Sequence, residues 1–361
     1  MSEHNPPPLP SSPPAPAAPP SIQIVMPPPR RRRVAVSILA ALVLLLGMLL
    51  IFSLLANARF LAAAGGDQGL SGTVLQKGDE HQIAAVYRLT GMIDEEAVAK
   101  FERFAKLVQH NPDIRAAVIR IDSGGGSVSA SDQIHRLVAN LRQQRLGLPV
   151  VVSMGGVAAS GGYYVAAPAD LIYAEPTTIT GSIGVIAFWP VVAGLLDKAG
   201  VQMVTIRSTR ASVWKARGNF WETPDQRVRQ NMQDMLDKMQ ARFEDVVREG
   251  RGSKIVTRQE TFEVSTPQGP QSVEVTAPFD GQVYLAAQAK DLGLVDRVGY
   301  LADAWAAAAQ LAKLDNPQVV EYSREKSVLE RLVSGQESVS ELSPRRLAEL
   351  TGPQVMMLWR P

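Results

Sequence analysis

The chain has 361 residues, is 46% hydrophobic and 20% charged, and carries a formal net charge of +2. That length suits one or two globular domains with additional segments, and so balanced a charge gives no electrostatic footprint for nucleic acid. There is no cysteine, which excludes disulfides, thiolate metal sites and cysteine nucleophiles, and the histidines number four: His4, His81, His110 and His135.

Residues 1–33 are rich in Pro, Ser and Ala and end in Arg30–Arg33. Too few apolar anchors are present to offset the entropy of ordering, so a disordered, solvated tail is expected, in preference to a proline-rich ligand for another domain. Residues 34–58 carry no charge, and a run of about 20 apolar residues crosses the hydrocarbon layer as a helix. The run exceeds the roughly 7–15 residues of a cleaved signal core, so an uncleaved transmembrane anchor is predicted. Four arginines precede it and Arg59 follows, which predicts a cytoplasmic N-terminus and an extracytoplasmic remainder.

Residues 59–82 read as a linker. From 83 to 315, β-rich runs alternate with helical ones. IAAVYRLTG reads as a strand and EEAVAKFERFAKLVQH as an amphipathic helix. AAVIRID is a strand, SASDQIHRLVANLRQQ a helix, and PVVVSM and DLIYAE are strands. Residues 224–249 predict one long amphipathic helix. Such alternation implies an α/β fold with a largely parallel sheet and crossover helices. Residues 316–361 read as a polar, weakly patterned tail with one helical candidate, EKSVLERLV.

Two glycine-rich turns follow strands. Asp122–Ser127 reads DSGGGS, in which three glycines free the backbone so that N–H groups can converge on one anionic point. Neither the GK[ST] continuation of a nucleotide loop nor a G-x-G-x-x-G fingerprint is present, leaving an oxyanion hole or a plain tight turn. The second turn carries Ser160 in AASGGYY. Alone, that serine is a small residue for close helix–sheet packing. Paired with a second glycine-rich turn, it fits a nucleophile beside oxyanion donors.

A serine needs a base to attack at neutral pH. His4 lies in the tail, His81 at the linker edge, His110 at the end of a polar helix, and His135 mid-helix as a half-buried packing residue. With no convincing histidine, a Ser–Lys pair becomes the expectation. Lys215, flanked by Val213, Trp214 and Phe220, is the candidate; Lys198 ends a helix and reads as a solvated charge.

The order of these segments, SGGG, then VAASGGYYVAAPADLIYAEPTTITGSIGVI, then a lysine in a Trp-Lys context, then FDGQVYLAAQAKDLGLVDRVG, resembles the signal peptide peptidase A family in its short form. These are membrane-bound Ser–Lys peptidases of the Clp protease/crotonase-like fold of repeated ββα units. The likeness covers roughly residues 83–315. It implies Ser160 as nucleophile, Lys215 as general base and Ser182 of TGSIGV as a hydroxyl that holds the lysine. It further implies backbone N–H groups of Gly125 or Gly126, with that of Gly161, as the oxyanion hole. No cofactor or metal is implied. The resemblance also implies a homo-oligomer in which the lysine can come from a neighbouring protomer, apolar peptides such as signal-peptide remnants as substrates, and a bacterial cytoplasmic membrane location. Two departures stand out. Gly124 and Ser127 replace a proline and a glycine of the family turn, and the stretch near Thr209–Val213 is longer than in typical short members. The competing expectations are a crotonase-type acyl-CoA enzyme and a catalytically silent membrane scaffold of the same fold.

Overall fold

A computed structural model describes residues 42–50, 53, 70–144, 147–215, 217–266, 269–324 and 354–358. In the N-terminal unit, Met1–Asp67, residues 42–50 form helix α1 with exposed leucines. The expected tail of residues 1–33, most of the expected 34–58 span, and the expected helix EKSVLERLV lie outside the described residues. Among those described, no helix is long and apolar enough to cross a membrane.

The second unit, Gln68–Pro361, is α/β. Its main sheet runs β1(Leu70–Gln76), β13(Pro317–Arg324), β2(Asp79–Thr90), β3(Ile114–Ser123), β5(Val150–Ala159), β6(Leu171–Ala174), β12(Arg297–Val298), in that order. Apart from antiparallel β1, these neighbours pair in parallel. Parallel strands need crossovers, and α2(Glu95–His110), α3(Val128–Gln144) and α4(Gly161–Ala166) supply them between β2, β3, β5 and β6. Helix α2 starts where Asp94 accepts the Ala97 N–H at 2.9 Å.

Period-two alternation divides the core. Ile83, Ala85, Tyr87 and Leu89 of β2 pack with Phe101 and Phe104 of α2 and Ile134 and Leu141 of α3. Ala84 and Val86 face the other way, with Ala116, Val118 and Val151, onto Ala304, Ala307 and Ala308 of α8(Leu301–Leu311). Central strands buried on both faces read as continuous apolar runs rather than alternating ones, which is why AAVIRI and PVVVSM were recognisable.

The expected helix over 224–249 is α6, Gln226–Arg251, capped by Asp225 through the Val228 N–H at 2.9 Å. Two boundaries differ from the sequence expectation. Residues 59–82, expected as linker, hold β1 and the start of β2, and residues 316–361, expected as tail, hold β13 between β1 and β2. Such strands are specified by partners remote in sequence, which local periodicity cannot register.

At the far end of the sheet, the α6 terminus is tied down by charge. Arg251, fully buried, places Nη2 2.8 Å from Asp296 Oδ1 and donates from Nε to the Gly293 carbonyl at 3.1 Å. Lys254 Nζ adds a contact of 2.7 Å, and Asp296 accepts the Ile172 N–H at 2.8 Å. Burial alone would raise the Asp296 carboxyl, but these cationic and N–H partners outweigh it and hold it below the usual carboxylate range. Asp296→Asn leaves Arg251 as a buried charge without its counterion. Urea unfolding of that variant is expected to show a loss of about 3–5 kcal/mol, and a loss within ~0.5 kcal/mol contradicts the assignment.

Candidate active site

Three segments meet where β3, β5 and β7(Ile179–Gly181) end. Register pairs Ser123 of β3 with Ala158 of β5, and Ala159 of β5 with Gly181 of β7. The glycine turn, Ser160 and Ser182 therefore emerge side by side at the C-terminal edge of parallel strands, the edge at which open α/β sheets place their sites. A bulge makes this possible. Ile121 pairs with Met154 but Ser123 with Ala158, so β5 carries extra residues around Gly155–Val157. The bulge is pinned by Asp122, whose Oδ1 accepts the Val157 N–H at 3.1 Å. It frees the last residues of β5 from β6 so that they can pair with β7.

Ser160 links β5 to α4 with φ 52° and ψ −118°. A side chain at positive φ is sterically disfavoured, by roughly 1–3 kcal/mol, and persists only where its surroundings overdetermine it. Here the Ser160 N–H donates to the Gly181 carbonyl at 2.8 Å, and the Ser160 carbonyl accepts from the Tyr164 N–H at 2.9 Å. Helix α4 is buried throughout. Tyr163 donates its hydroxyl to the Leu294 carbonyl at 3.0 Å, and Tyr164 donates to Asp132 at 2.6 Å. Burial pushes both phenols well above their ordinary value, so they remain protonated donors. The Ser160 side chain is 1% exposed, yet its Oγ has no hydrogen-bond partner among the described residues. Buried hydroxyls are normally paired, so an unpartnered one at a strained corner is a candidate for chemistry.

The glycine turn opens the next element, β4(Gly125–Ser127). Ser123 Oγ donates to the Gly91 carbonyl at 2.5 Å and accepts the Gly125 N–H at 3.1 Å. The Gly125 carbonyl accepts from Ile93, and Ser127 N–H donates back to Ile93. Gly125 is thus committed on the Ile93 side. By the alternation of a strand, the N–H of Gly126 points to the opposite edge. That edge faces β14(Gln354–Leu358), in which Met357 lies opposite Gly126. A Cβ on Gly161 would collide with Ser131 Oγ and lie 3.2 Å from the Gly126 nitrogen, so the two glycines are neighbours. Gly161 opens α4, where N–H groups lack intrahelical acceptors.

Ser182 is buried at φ 49° and donates its N–H to the Gln282 carbonyl at 2.6 Å, one residue beyond the carbonyl that receives the Ser160 N–H. Lys215 is placed differently. It follows a 3-10 turn at Thr209–Ala211, donates its N–H to the Ala211 carbonyl, and is exposed, with no hydrogen bond to Ser160. Lys198 ends α5(Ala193–Lys198) and is exposed too.

None of the described histidines reaches Ser160. His81 pairs with Asp113 at 3.2 Å on the surface, and His110 contacts the Lys106 carbonyl. His135 is half-buried against Tyr164, ring centroids 5.2 Å apart, with Nδ1 3.3 Å from the Tyr164 carbonyl. Two residues escaped the sequence reading. Asp122 was visible only as the first letter of DSGGGS, and Ser131, a buried hydroxyl without a hydrogen-bond partner beside Gly161, has no local signature at all.

Two outcomes test this geometry. Because the strain at Ser160 comes from a Cβ at positive φ, Ser160→Gly is expected to be more stable than Ser160→Ala by about 1 kcal/mol in thermal unfolding; equal stabilities contradict it. Burial lowers the His135 pKa from 6.5, so its contribution to stability is present above that value and lost as pH falls below it. His135→Gln is expected to flatten the decline in urea midpoint between about pH 7 and about pH 5.

Comparison with known proteins bears on the same segments. The profile of peptidase family S49 matches residues 142–315. Protease 4 of Salmonella typhi is 33% identical over 267 residues, 73% of this chain and 39% of its own length. The chloroplastic serine protease SPPA of Arabidopsis thaliana is 32% identical over 249 residues, 68% of this chain and 33% of its own. A solved structure of the 1510-N membrane-bound stomatin-specific protease with a substrate peptide aligns over 70% of this chain and 97% of its own, at 15% identity and TM-score 0.36. The chain thus spans well under half of the first two relatives. A Synechocystis sp. protein named as a protease is matched over 75% of its length at 33% identity, and with that coverage and the profile match, the chain belongs to peptidase family S49.

Proposed function

We propose that this chain is a membrane-anchored serine endopeptidase working through a Ser–Lys pair, with Ser160 as nucleophile, Lys215 as general base and Ser182 as the hydroxyl that positions the lysine. The observation that carries the reading is the buried Ser160 hydroxyl, without a hydrogen-bond partner, in a strained elbow beside the Gly126 and Gly161 backbone. The relatives' names, Protease 4 and serine protease SPPA, support it.

In the proposed reaction, neutral Lys215 accepts the Ser160 proton as Oγ forms a bond to the peptide carbonyl carbon. The Gly126 and Gly161 N–H groups stabilise the resulting oxyanion. Collapse breaks the C–N bond, the lysinium protonates the departing amine, and water assisted by the lysine releases the acyl group. Within one chain Lys215 is exposed. The segment that leads to it is exposed and apolar as well: Leu195 at 65%, Val204 at 77%, Ile206 at 92% and Trp214 at 52%. Apolar surface of that kind favours association. A second copy covering it would exclude water from the lysine and bring it to a neighbour's Ser160. The uncharged run 34–58 supports anchoring, with the catalytic unit outside the cytoplasmic membrane and apolar peptides, including signal-peptide remnants, as substrates.

A fluorophosphonate probe is expected to label the wild type and not Ser160→Ala. Absence of labelling in the wild type favours a silent scaffold or an acyl-CoA enzyme instead. Lys215→Ala is expected to lower peptide turnover by about 10³-fold or more. Mixing Ser160→Ala with Lys215→Ala protomers is expected to restore turnover. No restoration overturns transfer of the lysine between protomers.

A further inference from the structure

The segment that carries Lys215 is folded inside out. Val204 and Ile206 stand 77% and 92% exposed, whereas the side chain of Arg207 is 12% exposed. A surface segment ordinarily buries its apolar residues and leaves its guanidinium in water. Here the charge points inward and the chain closes around it.

Arg207 Nη2 lies 2.7 Å from each carboxylate oxygen of Glu222. Its Nε donates to the Lys215 carbonyl, also at 2.7 Å. One planar guanidinium thus ties residues 207, 215 and 222 together. Arginine suits this place because its rigid fork has donors enough for a carboxylate and a carbonyl at once. A second tie runs beside the first, where Trp221 Nε1 donates to Thr205 Oγ1 at 3.0 Å. Between the ties, the Lys215 N–H donates to the Ala211 carbonyl at 2.9 Å. A loop whose ends are joined, and whose middle is tied to one of them, is a self-contained unit. The hydrogen bonds from Arg207 hold the Glu222 carboxyl below the usual carboxylate range, so the pair stays ionised through neutral pH.

We propose that Arg207 is a positioning residue for the lysine: by gripping the Lys215 carbonyl and the Glu222 carboxylate together, it fixes the backbone from which the amine extends. This rests on the peptidase reading above, in which Lys215 is the general base. Arg207 touches neither substrate nor the reacting atoms. The need for such a grip follows from the exposure of the loop. The lysine stem is flexible, and a displacement of ~1 Å in a catalytic group costs on the order of 10²-fold in rate. Because its internal ties are polar, the loop holds its shape while its apolar residues remain free to meet a second copy.

Turnover of a fluorogenic apolar peptide is compared between the wild type, Arg207→Ala, Arg207→Lys and the exchange Arg207→Glu with Glu222→Arg. Arg207→Ala is expected to lower kcat about 10²-fold at unchanged KM. Arg207→Lys keeps the charge without the fork, and its kcat is expected to stay at least about ten-fold below the wild type. The exchange restores the ion pair but leaves the Lys215 carbonyl without its donor. Its thermal midpoint is therefore expected to match the wild type while kcat stays low. Unchanged kcat in Arg207→Ala, or an exchange that recovers kcat, overturns the positioning role. Fluorine NMR of fluorotryptophan-labelled protein gives a readout without turnover. The Trp214 signal, assigned through Trp214→Phe, is expected to shift in Arg207→Ala, while that of Trp305 in α8 stays in place and reports an intact fold. An unmoved Trp214 signal contradicts the grip. Lys215→Ala, measured alongside, separates the two ideas. Turnover that survives it removes the base and the positioning role together, whereas its loss there with kcat intact in Arg207→Ala removes the positioning role alone.

Discussion

The bond from the Ser160 N–H to the Gly181 carbonyl holds the site in shape. It joins the end of β5 to the end of β7 at the residue whose backbone is in the left-handed region. A serine does not adopt that conformation unaided, so the stored strain has to be offset by neighbours on every side. They are the buried helix α4 beneath it, Tyr163 and Tyr164 with satisfied hydroxyls, and the parallel register of β5 with β7. The same bond fixes Ser182 in position, because Ser182 directly follows the accepting carbonyl.

The glycines around this point serve by the space they leave. A side chain on Gly126 would collide with the Ile93 backbone, and one on Gly161 with Ser131. Close approach of two backbones is what brings β4 and the start of α4 together. Polar side chains brace the arrangement from behind. Ser123 bridges Gly91 and Gly125, and Asp122 holds the β5 bulge that lets Ala159 reach β7. The DSGGGS turn therefore has divided labour. Its aspartate and first serine build the scaffold, and its glycines give access.

The site is unequal in its parts. Ser160, Gly126, Gly161 and Ser182 are rigidly embedded at the sheet edge, whereas Lys215 stands on an exposed apolar segment. Strands β4 and β8(Ile186–Phe188) are likewise short, and both pair with β14(Gln354–Leu358). A buried half supplies preorganised donors, and an open half leaves room for additional chain to complete the site.

Much of the fold was legible in the sequence. Helices α2 and α6 follow from 3.6-residue periodicity with aspartate caps, and β3, β5 and β6 from apolar runs bounded by turns. The strand–turn–helix corner at Ser160 was legible too, from an apolar run that leads into small residues and glycines on both sides of one serine. Tertiary structure alone decided the rest. Strands β1 and β13 pair with distant segments, and Ile93 takes up one edge of β4 from another part of the chain. Ser131 and Asp122 gained meaning only through contacts across the sheet. The strand Gln354–Leu358 lay in a stretch read as polar tail, since five residues have no periodicity to declare a partner. Local sequence specifies local backbone and the face it buries; which remote segments become neighbours is set by strand register, a property of the folded sheet.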